Sequence, residues 1–152
     1  DVLLRTGGWA GLDLFVGYSE TKRDGDNKIG TNVDAESSHE EGVAGVTWVI
    51  GPLKVGAQKG AVNTAGTAET NYENDYVGIS YAVSDNLSIS YNEIDSRESK
   101  EGSDVEQDFD SISLSYTSGG MTIGVLDADC GNCSYSSGRN QSARAIQMTI
   151  AF

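Results

Sequence analysis

The stretch Ala145-Ile146-Gln147-Met148-Thr149-Ile150-Ala151-Phe152 alternates strictly, with Ile146, Met148, Ile150 and Phe152 on one face and Gln147 and Thr149 on the other. A period of two marks a β-strand with two unlike faces. In a soluble domain such an apolar stripe is buried against a second layer, whereas in a membrane barrel the same stripe points outward at lipid. The rest of the chain has to distinguish the two.

A chain of 152 residues is at most one domain, and 19 glycines, one proline and seven tyrosines describe a turn-rich β protein. No apolar run approaches the roughly 20 residues of a transmembrane helix, which excludes a helical membrane protein. A barrel is not excluded, since its strands need only about 10 alternating residues each. The formal charge of −13 argues against nucleic-acid binding, which needs a basic surface, and favours cations. The sequence opens at Asp1-Val2-Leu3-Leu4-Arg5 with neither an initiator methionine nor a basic-then-apolar leader. Either a secretion signal has been removed or the chain belongs to something longer, and strand counting favours the second.

Working outward from the terminal strand, one grammar repeats: strand, long polar loop, strand, tight turn. Leu12, Leu14, Val16 and Tyr18 alternate with Asp13, Phe15, Gly17 and Ser19, and then comes a polar stretch from Glu20 to Glu41. Val43 to Ile50 returns, Gly51-Pro52 turns, and Leu53, Val55 and Ala57 alternate with Lys54, Gly56 and Gln58. After polar residues 61–73 comes Tyr76 to Val83, then the turn Ser84-Asp85-Asn86, then Leu87, Ile89 and Tyr91. A third, acidic loop is expected over residues 93–108. Ile112, Leu114 and Tyr116 then alternate with Ser111, Ser113 and Ser115, Ser118-Gly119-Gly120 turns into Met121, Ile123 and Val125, and residues 127–142 form the fourth loop. The expectation is an all-β antiparallel transmembrane barrel segment of eight strands, with every long loop at one end and every tight turn at the other.

Trp48, Tyr81, Tyr116 and Phe152 end strands that run toward the tight turns, while Tyr18 and Tyr91 lie toward the opposite rim. Two aromatic girdles are expected from rings that are apolar in body and polar at the edge. The competing reading is a soluble acidic β-sandwich, because aromatics favour strands in any setting. Against it, the opposite strand faces are rich in Ser, Gly and Thr, which suit a wall facing water.

These alternating strands, the terminal phenylalanine, and the segments Leu4-Arg5-Thr6-Gly7-Gly8-Trp9-Ala10-Gly11-Leu12-Asp13-Leu14 and Asn74-Asp75-Tyr76-Val77-Gly78-Ile79-Ser80-Tyr81 resemble the carboxy-terminal part of a Gram-negative general porin. The resemblance covers the whole chain. It implies one half of a 16-stranded, trimeric, water-filled channel in the outer membrane, through which small hydrophilic solutes and ions diffuse passively. It also implies that the terminal aromatic strand is read by the barrel insertion machinery. Val2 to Thr6 then look like the end of a preceding strand, so the chain reads as eight strands plus a stub. The rival is a complete, closed eight-stranded barrel acting as anchor or adhesin, with a packed polar interior.

Ten residues are expected to face the lumen: Arg5, Asp13, Lys54, Gln58, Ser80, Ser90, Asn92, Ser113, Gln147 and Thr149. Arg5 and Lys54 could form part of a basic wall or merely solvate the lumen. In the resembled family an inward loop of the amino-terminal half usually forms the constriction, so no constriction residue is assigned here. Near the mouth, Glu20, Asp24, Asp26, Asp34, Glu36, Glu40, Glu41 and the carboxylates from Glu93 to Asp110 would enrich cations within about 10 Å at moderate salt. These carboxylates are either a solvated surface or divalent-ion ligands. Arg23-Asp24-Gly25-Asp26-Asn27-Lys28-Ile29 looks like a calcium loop, but that spacing would put Lys22 and Val33 at ligand positions, and no metal site is expected.

Cys130-Gly131-Asn132-Cys133 reads as a local disulfide stiffening the last loop. A redox-active pair would need a helix amino terminus, and a zinc site two further ligands, while the single histidine, His39, lies in another loop. Arg144 shares the lipid face near the outer rim, where it could meet lipid phosphates or snorkel. His39 beside Ser37, Ser38, Glu40 and Glu41 has no triad-like setting, so neither catalysis nor a cofactor is expected.

Overall fold

The computed structural model describes residues 1–23, 37–64 and 70–151. They form one nine-stranded antiparallel sheet in which every strand pairs with its neighbour in sequence. The strands are β1 (Val2–Trp9), β2 (Leu12–Arg23), β3 (Ser37–Ile50), β4 (Leu53–Thr64), β5 (Thr70–Ala82), β6 (Leu87–Lys100), β7 (Ser103–Ser118), β8 (Met121–Gly131) and β9 (Gln141–Ile150). β1 and β9 are the edges of the sheet and are not paired with each other.

Local sequence dictates the tight turns. Ala10-Gly11 and Gly119-Gly120 carry positive φ at both positions, the geometry that matches the twist of a two-residue hairpin. Gly51-Pro52 joins Ile50 to its partner Leu53. Gly11 is doubly constrained, because a Cβ there would sit 2.3 Å from the Val49 carbonyl oxygen. In β1 the ladder shifts between Thr6 and Trp9, and Gly8 takes φ 88°. This one-residue bulge returns Trp9 to the face it shares with Leu12.

Cross-strand pairing assigns each residue to a face. One row runs Leu12, Trp48, Val55, Ile79, Tyr91, Ile112, and another runs Leu53, Tyr81, Ile89, Leu114, Val125, Ile146. Both lie on a single apolar face. The opposite face carries Thr47, Gly56, Gly78, Asn92 and Ser111 in one row and Lys54, Ser80, Ser90 and Ser113 in the next.

Exposure is the reverse of a soluble protein's. Val77, Ile112 and Tyr81 are 59, 50 and 46 % exposed, and among the described residues no second layer covers them. The only buried residues among those described are Ala128, Cys133, Ser96 and Ser111. A chain that leaves its apolar face bare and shields its polar one has an apolar solvent outside and water inside. The soluble sandwich is thereby overturned, since it requires a second sheet packed on that apolar face.

Three expectations change. The end of the preceding strand runs further than expected, to Trp9 rather than to Thr6. The third acidic loop does not exist as a loop: β6 and β7 pair throughout from Leu87↔Tyr116 to Lys100↔Ser103, and only Glu101-Gly102 turns. Strands likewise take up the margins of the first two long loops, with β2 paired to β3 up to Arg23↔Ser37 and β4 paired to β5 up to Thr64↔Thr70.

Candidate functional site

All ten expected lumen residues lie on the polar face. Arg5, Gln58 and Tyr76 belong to one pairing row, with Phe15 and Gly45 between Arg5 and Gln58, and Asp13 and Asn92 belong to the next. Lys54, Ser80, Ser90 and Ser113 form a third row, in which the Ser90 and Ser113 hydroxyls are 2.6 Å apart. Gln147 and Thr149 continue this face on β9 through their partners Gly124 and Thr122. Arg5 and Asp13 are brought together, with Nη2 to Oδ1 at 3.9 Å. Gly7 makes room for that pairing, since a Cβ there would overlap an Asp13 carboxylate oxygen.

Parity within each strand also places larger groups on this face. Phe15, Tyr76, Ile94 and Phe109 share the row of Arg5 and Gln58. The polar wall therefore carries an aromatic and aliphatic band that a reading centred on serine and glycine overlooks. Phe15 lies over Gly45, where a Cβ would meet the ring at 2.4 Å. A hollow of about 540 Å³ is lined by Phe15, Lys54, Gln58, Tyr76, Asn92 and Ile94, among others.

The girdle residues Tyr18, Trp48, Tyr81, Tyr91 and Tyr116 lie on the apolar face; Phe152 lies outside the described residues. Polar tips find partners at both rims. The Trp48 indole Nε1 donates to the Ala10 carbonyl in the β1–β2 turn at 3.1 Å. At the far rim the Tyr18 hydroxyl donates to Glu40 at 3.4 Å and the Tyr91 hydroxyl to Glu93 at 3.5 Å. Beyond that rim the outward face turns ionic, with Lys59–Asp75 at 3.0 Å and Arg97–Glu106 at 3.8 Å. Arg144 is engaged within the protein: its Nε lies 3.1 Å from both Asp127 carboxylate oxygens.

Above the apolar belt, which β6 crosses as Leu87–Tyr91, the polar face bears a connected set. Tyr72 donates to Glu98 at 2.8 Å, and the Lys100 ammonium lies 2.7 Å from the other Glu98 oxygen. The Lys100 hydrogen bond, reinforced by that of Tyr72, holds the Glu98 carboxyl below its ordinary range. His39 pairs with Glu41 at 2.8 Å. The calcium-like segment Arg23–Ile29 lies outside the described residues apart from the backbone of Arg23, as do Asp24, Asp26, Asp34 and Glu36.

Cys130 and Cys133 form the expected disulfide. The chain beyond it makes a compact turn rather than an extended loop. Cys133–Tyr135 is a single 3-10 turn, and Asn132, Ser134 and Tyr135 all take positive φ. The Tyr135 hydroxyl lies 2.6 Å from that of Ser96 on β6, and its ring lies 5.6 Å from the Tyr72 ring on β5. Nothing in the Cys-Gly-Asn-Cys spacing foretells that direction.

No protein-family model and no curated protein sequence matches the chain. Solved structures do. In-vitro folded OmpT, an outer membrane protein of Vibrio cholerae, superposes with a TM-score of 0.70 at 11% identity, covering 96% of this chain and 51% of that one. A mutant of OmpT lacking its loop L8 gives 0.74 at 11% identity with the same coverage, and a trimer form gives 0.64 at 12% identity, covering 96% of this chain and 52% of that one. The chain thus spans about half the length of the structures it matches. At such identities the likeness is one of fold, and the fold is that of an outer-membrane β-barrel wall.

Proposed function

We propose that this chain forms part of the wall of a general porin, a water-filled outer-membrane channel for passive diffusion of small hydrophilic solutes and ions with a preference for cations. The observation that carries the reading is the inversion of faces: Ile79, Ile112 and Tyr81 bare on one side, with Lys54, Gln58, Ser90 and Asn92 on the other. A polar wall keeps the path filled with water through which hydrated solutes diffuse, and its fixed charge biases which ions enter. The formal charge of −13 supports the cation preference.

The assembly we propose is a trimer of barrels about twice the length of this chain, each inserted through its terminal aromatic strand and bedded in outer-membrane lipids. A trimer form of a similarly folded protein is the support for that state. The test is planar-bilayer recording of the full-length protein under a salt gradient. Stepwise ohmic conductance with a reversal potential on the cation side is expected. Absence of conductance from folded protein would overturn the channel, and a reversal potential on the anion side would overturn the preference.

A further inference from the structure

We propose that the β8–β9 loop, residues 132–140, is a constriction: it folds back over the polar face, its disulfide sets it there, and Tyr135 is the pin. The proposal rests on the channel reading above and adds a residue that would determine solute size.

Reach decides the direction of the loop. Adjacent strands lie about 4.8 Å apart, so a residue that leaves β8 and touches β5 has crossed roughly 14 Å of sheet. Tyr135 makes that crossing, meeting Ser96 on β6 and Tyr72 on β5. Two further bonds tie its path across β7: Asn132 Nδ2 donates to the Glu106 carbonyl at 2.9 Å, and the Ser134 amide donates to Gln107 Oε1 at 2.7 Å. A loop standing away from the rim along the strand direction could reach its neighbour β7 but neither Ser96 nor Tyr72.

The face it crosses is the polar one. Tyr72, Asn74, Ser96 and Gln107 share the parity of Gln58 and Asn92, and Ser96 beneath Tyr135 is only 3 % exposed in a sheet otherwise nearly without buried residues. Its hydroxyl donates on to Asn74, so the phenol enters an existing polar chain.

The disulfide holds the loop to that course. Three non-glycine residues in four, Asn132, Ser134 and Tyr135, adopt the left-handed backbone that such residues rarely take. Closing Cys130 to Cys133 limits what that segment can sample, and internal bonds from Cys133 N to the Arg139 carbonyl at 2.7 Å and from Gly138 N to Asn132 Oδ1 at 2.8 Å complete the turn. With the ring open, the segment has alternatives that release Tyr135 from Ser96.

The experiment compares the full-length protein with three variants: excision of residues 132–139 together with Cys130→Ser, Tyr135→Ala, and Tyr135→Phe. Each is confirmed folded by circular dichroism and then recorded in planar bilayers with polyethylene glycols of graded size in the bath. Excision should raise single-channel conductance at least twofold and admit larger polymers. Tyr135→Ala should give a smaller rise, Tyr135→Phe a smaller one still, and a thiol reductant should reproduce part of the effect in the wild type and none in the excised form. If the wild type conducts and neither excision nor reductant alters conductance or polymer cutoff, the constriction is overturned while the channel stands. If no form conducts, both fall together.

Discussion

Phe15 and Gly45 illustrate what single residues on the polar face do. The Phe15 ring occupies the volume that a Gly45 side chain would need, and the Ala57 carbonyl closes off the retreat at 3.0 Å from that Cβ position. Gly45→Val should cost about 1–3 kcal/mol as overpacking, measured by urea unfolding in detergent micelles, and Phe15→Ala should recover part of the loss in the double variant. Trp48→Phe keeps the ring at the rim but removes the bond to the Ala10 carbonyl, for a loss of about 0.5–1.5 kcal/mol by the same measurement. Glu98 supplies the pH dependence. Its carboxyl is depressed below the ordinary value of 4.5 by Lys100 and Tyr72, so the stability it contributes is present above that value and is lost as pH falls through the depressed one. Amide exchange of residues 96–100 should therefore be unchanged from pH 7 to 5 after correction for intrinsic rates, then accelerate as pH falls below the ordinary carboxylate value. Glu98→Gln should abolish that acid step.

At the scale of elements, the belt portions of the strands were legible and their extensions were not. Leu87-Ser88-Ile89-Ser90-Tyr91 alternates because one face meets an apolar phase and the other meets water. Beyond the belt, Glu93 to Ser103 has water on both sides, so neither parity is apolar and the period disappears although the ladder continues through Lys100↔Ser103. Backbone pairing, which carries no side-chain signature, holds that extension together. The amides from Ser96 to Glu106 are accordingly expected to exchange slowly, like a ladder; rapid exchange across that segment would show it to be a loop. The inward path of residues 132–140 was illegible for a different reason. It depends on Ser96, Tyr72 and Gln107, which lie 28 to 63 positions from Tyr135 in sequence, and no local pattern encodes a contact of that range. Parity alone places Phe15 on the polar face, between Asp13 and Gly17 in the alternation, and does the same for Tyr76 and Phe109, although none of the three is small.

For the molecule as a whole, the face assignment makes a directional prediction about charge. An arginine in place of Ile79 or Leu114 would put a cation on the apolar belt, at a cost of about 2–4 kcal/mol near its middle and less toward the rims. Ser90→Arg, one strand position from Ile89 but on the opposite face, should leave folding into liposomes nearly unchanged. Equal losses at both positions would show that the two faces are not in different solvents. The ionic pairs beyond the belt mark where that contrast ends, with Lys59–Asp75 one outward step past Ala57 and Val77.

Every strand in this sheet pairs only with the strand before it and the strand after it. Such a topology contains no crossing that must be completed before another can begin, and no segment has to be threaded between two already in place. The sheet can therefore be laid down in sequence order, hairpin by hairpin, with each finished edge serving as the template for the next. Closing each step costs only the one loop between sequence neighbours, a cost that grows slowly with loop length. A slip in register at any one hairpin would be inherited by every strand added after it, which gives the glycines at the tight turns the office of proofreaders as much as of hinges.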